Sequence, residues 1–128
     1  MDPAEARTLT GRVVHGQQLG RRLGYPTANL EAAPHHPLPA NGVYAARATL
    51  ADGRTCPAMV NVGVRPTVGS GQRPTVEAHL IGFHGDLYGQ TLRLDFIRRI
   101  RDERKMDNLD DLKRQLGKDL DEIRKLNL

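Results

Sequence analysis

Apolar and polar residues alternate through most of the first hundred positions, and then the period changes. Leu9-Thr10-Gly11-Arg12-Val13-Val14-His15 has the β-branched enrichment of a strand. Tyr25-Pro26-Thr27-Ala28-Asn29-Leu30 reads as extended or turn-like, because Pro26 fixes its own φ and pushes Tyr25 out of the helical region. Gly42 to Leu50 and Thr55 to Val64 read as two strands of a hairpin whose turn is signalled by Asp52-Gly53. Thr75 to Ile81 is a further strand, and Thr91 to Ile97 alternates strictly as the next. Arg65 to Pro74 and Phe83 to Gln90 separate these runs as glycine-containing connections. Beyond residue 107 the apolar positions are Leu109, Leu112, Leu116, Leu120 and Ile123, a helical stripe that predicts an amphipathic helix over 108–126. Asn108 is a natural N-cap, and Asp111 places negative charge in the first turn.

Strands first and one helix last, with no helices between the strands, predict a mainly β fold. Hairpins and Greek-key loops between the strands argue an antiparallel barrel, with the C-terminal helix docked on it. The 128 residues suffice for one domain, read as 9–128 after a flexible lead-in over 1–8. No run approaches the roughly 18 apolar residues of a membrane-spanning helix, so no membrane partner is expected. Cys56 is the only cysteine, which excludes an internal disulfide and suits a reducing, cytoplasmic setting. The net charge is +4, which favours anionic partners. Arg98, Arg99, Arg101, Arg104 and Lys105 concentrate it between the last strand and the helix, either as a solvated face or as a phosphate-binding one. With no Trp and 4% aromatics, the chain has few platforms for stacking bases, which argues against a nucleic-acid partner.

Three places carry candidate chemistry. Gly16, Gly20 and Gly24 flank Arg21 and Arg22, where glycines admit close backbone approach and arginines supply forked donors for phosphate. Thr27 and Asn29 stand two apart in an extended segment, so both side chains point the same way as hard oxygen donors suited to Mg²⁺; isolated Thr and Asn also serve simply as turn residues. Glu77 and His79 share one face of their strand, and Val76, Ala78 and Leu80 share the other. If the Val76 face is the core, Glu77 is merely exposed; if the barrel mouth lies on the Glu77 side, Glu77 is a candidate general base. The five histidines are scattered and form no metal set.

Taken in order, several motifs resemble one family. They are Gly11-Arg12-Val13-Val14-His15-Gly16, Arg21-Arg22-Leu23-Gly24-Tyr25-Pro26-Thr27-Ala28-Asn29, Gly42-Val43-Tyr44-Ala45, Asn61-Val62-Gly63-Val64-Arg65-Pro66-Thr67, Val76-Glu77-Ala78-His79-Leu80, Asp86-Leu87-Tyr88-Gly89 and Ile100-Arg101-Asp102-Glu103-Arg104-Lys105-Met106. The sequence resembles the riboflavin kinase family, including the C-terminal kinase domain of bacterial bifunctional FAD synthetases. The resemblance implies a six-stranded antiparallel Greek-key β-barrel with a C-terminal α-helix packed on it, and transfer of the ATP γ-phosphate to the riboflavin 5′-hydroxyl, giving FMN and ADP. It implies Glu77 as the base, and Thr27 and Asn29 as holders of Mg²⁺ and the nucleotide phosphates. Gly16 to Gly24, with Arg21 and Arg22, would form a flap over the phosphates, and Asn61 would join the ligand-binding residues. Arg101, Glu103, Met106 and Leu109 would line the flavin site. Met106 stands where the family usually shows Phe, exchanging a rigid ring for an adaptable thioether. An FMN adenylyltransferase domain, N-terminal in the bacterial family, is expected to be separate or missing. The alternative reading is a non-catalytic basic barrel that binds RNA or a protein partner.

Overall fold

A computed structural model describes residues 8–14, 27–31, 38–66, 72–103 and 106–128. Six strands are formed: β1 (Thr8–Val14), β2 (Ala28–Glu31), β3 (Gly42–Thr49), β4 (Thr55–Pro66), β5 (Gln72–Leu80) and β6 (Thr91–Arg101). One helix, α1 (Leu109–Lys125), follows. The strands close into an antiparallel barrel in the order β1-β2-β5-β4-β3-β6, with β6 returning to β1. The connections β2–β3 and β5–β6 join strands that are not neighbours, so the topology is the expected Greek-key barrel rather than a simple meander.

The two faces of each strand have different work. The inner face carries Leu9 and Val13 of β1, Leu30 of β2, Ala46 and Ala48 of β3, Val60 and Val62 of β4, Val76 and Ala78 of β5, and Leu92 and Leu94 of β6. These are buried together, and the alanines on β3, β4 and β5 suit the narrow bore of a six-stranded barrel. Tyr44 meets Phe96 edge to face, with ring centroids 5.3 Å apart. The outer face is covered only in part. There Val43, Ala45 and Met59 are buried beneath Leu120 and Ile123 of α1, with Leu116 and Ile100 packed alongside. The helix therefore docks on the outside of β3, β4 and β6.

Turn and cap chemistry match the sequence. At the β3–β4 hairpin, Gly53 takes φ +91°, and Asp52 accepts hydrogen bonds from the Arg54 amide at 3.0 Å and from Arg54 Nε at 2.7 Å. The backbone donor holds the Asp52 carboxyl below its ordinary pKa. Asn108 caps α1 by accepting from the Asp111 amide at 2.9 Å. Two expectations are corrected. The stripe residue Leu109 does not dock: it is 50% exposed at the start of the helix, before α1 has come down onto the sheet. The connection read as Arg65 to Pro74 is shorter, because β4 runs to Pro66 and β5 starts at Gln72.

A third correction concerns the basic cluster. Arg98, Arg99 and Arg101 lie within β6, not after it. Register shifts between Ala45 and Ala46 and between Val43 and Tyr44 insert extra residues in β6, so its strict alternation fails after Phe96 while pairing with β3 continues. Arg99 donates to the Asn41 carbonyl at 2.8 Å and pairs with Asp102 at 2.6 Å. Its hydrogen bonds, to Asp102 first and then to Tyr44, raise its pKa. Arg101 does something different. It grips Asp119 of α1, Nε to Oδ1 at 3.0 Å and Nη2 to Oδ2 at 2.9 Å, while Gln115 donates to the same carboxylate at 3.0 Å. Asp119 is 1% exposed, so the helix is bolted to the end of β6 by a desolvated, bidentate pair. Removing one partner of such a pair strands the other charge. Asp119→Ala is expected to destabilise the fold by about 3–5 kcal/mol, measured by urea unfolding; a loss within the usual range of a surface substitution would show the pair to be incidental.

Candidate active site

The candidate residues gather outside the barrel. Val76, Ala78 and Leu80 are buried in the interior, so the pleat of β5 turns Thr75, Glu77 and His79 outward. Leu30 is likewise interior, which turns Asn29 outward with Thr27 two residues before it. The register then aligns the polar side chains. Glu77 sits between Asn29 on β2 and Asn61 on β4, directly opposite both. Directly opposed residues on one face hold their Cβ atoms about 4.5–5.5 Å apart, so Asn29, Glu77 and Asn61 form one continuous row across three strands. Thr27, Asn29, Asn61 and Glu77 are all half-buried.

Asn61 is the most telling member. Along the outside of β4 it lies between Met59, which is covered by the helix, and Gly63. Its Oδ1 is buried with no hydrogen-bond partner among the described residues. An orphaned acceptor in that setting costs about 1–3 kcal/mol, and such groups persist where a ligand satisfies them. Above Gly63 lies the carboxylate of Glu103, in the segment that leads from β6 to α1. Met106 is half-buried in that segment, and Leu109 is exposed at its end. The row and this segment thus face the same outer region of the barrel.

Not every expected residue meets there. The contacts of Arg101 are with Asp119 and the Asp102 carbonyl, which gives it a docking role at the base of the segment. Gly16, Arg21, Arg22 and Gly24 lie outside the described residues. Cys56 is half-buried on β4, and burial raises its thiol pKa. No group of three or more His, Cys, Asp or Glu side chains suited to a metal occurs among the described residues. No described helix is long and apolar enough to cross a membrane. Reading the residues alone missed Gly63 and Asp119. A glycine inside an alternating strand signals close approach by another group and could have flagged Gly63, whereas an acidic residue on a charged helix such as α1 carries no such mark.

Residues 4–127 match the sequence model of the family described as Flavokinase: Riboflavin kinase. The chain belongs to the riboflavin kinase family. It is 43% identical over 112 residues to the RNA-binding riboflavin kinase RibR of Bacillus subtilis, covering 88% of this chain and 47% of that protein. It is 41% identical over 114 residues to the bifunctional riboflavin kinase/FMN adenylyltransferase of Haemophilus influenzae, covering 88% of this chain and 36% of that protein. The chain therefore spans less than half the length of these relatives. Among solved structures, a Streptococcus pneumoniae protein described as a macrolide-efflux protein superposes with TM-score 0.84 at 37% identity, covering 91% of this chain and 38% of that one. The riboflavin kinase of Trypanosoma brucei shares the fold, with TM-score 0.68 at 24% identity over 93% of this chain and 78% of that one.

For a member of this family the orphaned acceptor has a testable meaning. Asn61→Leu removes a buried, unsatisfied oxygen, so the urea midpoint is expected to hold or rise while ligand affinity falls at least tenfold by titration. A variant that loses stability and keeps its affinity would make Asn61 a structural residue.

Proposed function

We propose that this chain transfers the γ-phosphoryl group of ATP to the 5′-hydroxyl of riboflavin, producing FMN and ADP. One observation carries the reading beyond family membership: the register of β2, β5 and β4 sets a carboxylate between two amide side chains, one with an unsatisfied oxygen, on the outer face beside the β6–α1 segment. Phosphoryl transfer asks a protein for positioning and charge neutralisation more than for covalent chemistry. A row of half-buried oxygen donors around a single carboxylate suits that demand.

Glu77 acts as the base. Its carboxylate accepts the proton of the riboflavin hydroxyl as that oxygen bonds to the γ-phosphorus and the bond to the bridging oxygen of ADP breaks. The donor set also fits Mg²⁺. This ion takes hard oxygen ligands and keeps several waters, so a hydroxyl, an amide oxygen and the nucleotide's own phosphates suffice without an acidic cage. Thr27 and Asn29 would hold it, and it would neutralise charge developing on the transferred group. Gly16 to Gly24, with Arg21 and Arg22, serve as the phosphate flap, and Glu103, Met106 and Leu109 border the flavin. The kinase step alone is assigned to this domain. FMN adenylation, named in the bifunctional relatives, is work for a separate domain. The rival reading, a basic barrel that binds RNA, can draw on exposed Arg98 but leaves the Asn29–Glu77–Asn61 row without a use; Arg99 is already engaged by Asp102 and Asn41.

The direct test is FMN formation from riboflavin, ATP and Mg²⁺, followed by chromatography. Glu77→Gln keeps size and polarity but cannot take a proton, so turnover is expected to fall at least about 100-fold with riboflavin affinity little changed. Near-normal turnover would remove Glu77 from the chemistry. Thr27→Val keeps the β-branched shape and deletes one oxygen ligand. Weaker MgATP binding by calorimetry and a slower single-turnover rate are expected; if both match the unaltered protein, Thr27 is only a turn residue.

A further inference from the structure

Gly63 is buried on the outer face of β4, two residues beyond Asn61 and opposite Thr75. Its glycine identity has no conformational reason. The chain's positive-φ glycines are Gly42, Gly53, Gly82, Gly85 and Gly89 among the described residues, and Gly63 is not one of them. The reason is spatial. A Cβ at this position would stand 2.9 Å from both Cδ and Oε1 of Glu103, and nearer still to Oε2. Real Cβ atoms do not approach heavy atoms this closely. Gly11 offers a contrast, since there a Cβ would strike the backbone carbonyl of Glu31 at 2.5 Å and β2 itself would have to move. At Gly63 the obstructing atoms are the tip of one flexible side chain on an exposed residue.

We propose that Gly63 is a positioning residue for the flavin substrate: the missing side chain makes a notch on β4 that seats the Glu103 carboxylate beside Asn61. The proposal rests on the riboflavin kinase reading and adds to it a reason for one atom's absence. Glu103 leaves the barrel two residues after Arg101, whose grip on Asp119 fixes where the segment starts. The notch fixes where the carboxylate lands. A carboxylate held there accepts hydrogen bonds from N–H and O–H groups, and riboflavin offers both, on its ring imide and its ribityl chain. Holding the acceptor in place before the ligand arrives lowers the ordering cost of binding. A Cβ at residue 63 would displace Glu103 and leave β4 intact, so the loss should appear in flavin affinity and not in stability.

The test compares the unaltered protein, Gly63→Ala, Glu103→Ala and the double variant. Riboflavin and FMN affinity are read by quenching of flavin fluorescence, KM and kcat by FMN formation, and stability by urea unfolding. Gly63→Ala is expected to weaken flavin binding and raise the riboflavin KM at least fivefold, with kcat changed less than threefold and an unshifted urea midpoint. Glu103→Ala should show the same pattern, and the double variant should be no worse than Glu103→Ala alone, because the notch matters only when there is a carboxylate to seat. Independent, multiplying losses would overturn the proposal. So would an unaltered KM in Gly63→Ala, or a lower KM in Glu103→Ala, which would make Glu103 an obstruction. If the unaltered protein neither binds nor phosphorylates riboflavin, the kinase reading fails and takes the notch's role with it. If it does both and Gly63→Ala matches it, only the notch fails.

Discussion

The pleat of a small closed barrel is the constraint on which this molecule depends. With six strands the bore admits only side chains, and here Leu, Val and Ala fill it. Each strand therefore sends alternate residues inward to hold the fold together, and everything else must face out. A barrel of this width has no lumen in which to do chemistry, so a site has to be built on its outer wall. An outer wall is ordinarily flat and wet, a poor place to hold charge or exclude water.

The helix changes that. By covering Val43, Ala45 and Met59, α1 turns one sector of the outer wall into a second core, and among the described residues it does not extend over the adjoining sector. The polar row lies along the boundary between them. Asn61 follows Met59 on the same strand and face, one covered and the other half-buried. That edge gives the oxygen donors partial desolvation while keeping them reachable, a combination that strengthens their electrostatic effect on a bound anion or cation. The Arg101–Asp119 pair sets the edge, because it fixes the helix to the strand from which the bordering segment departs.

Much of the architecture was legible in the residues. The residues alone located β1, β3, β4, β5 and β6 but left β2 as an extended or turn-like piece; Asp52-Gly53 located the hairpin, and Asn108 with Asp111 located the start of the helix, because each is a short-range effect of backbone and side-chain chemistry. The end of β6 was not legible. Its bulges break the alternation that identifies a strand, and only the pairing partner β3 reveals that the strand continues. Leu109 fitted the helical stripe by spacing, but spacing does not say how soon a helix reaches the sheet. For Glu77 the faces of the strand were plain, while the value of its face was not. Whether an outward carboxylate is surface or site depends on Asn29 and Asn61, residues 48 and 16 positions away in the chain, arriving beside it by register. Family resemblance supplied what periodicity could not, a reason to expect those residues together.

The way β1 is stitched in has a consequence for how the chain comes to be folded. β3, β4 and β5 pair with their sequence neighbours and can assemble locally. β1 instead pairs with both β2 and β6, and the hydrogen bond from Thr8 to Asp95 joins residues 87 positions apart. Until that contact forms, β6 presents an open edge that another chain can occupy. Closing it requires ordering nearly the whole domain first, the kind of long-range pairing that slows β proteins to the millisecond-to-second range, roughly. Barrel closure should then be the late step of folding, and β6 the strand most exposed to intermolecular pairing while a nascent or partly unfolded chain waits for its first strand.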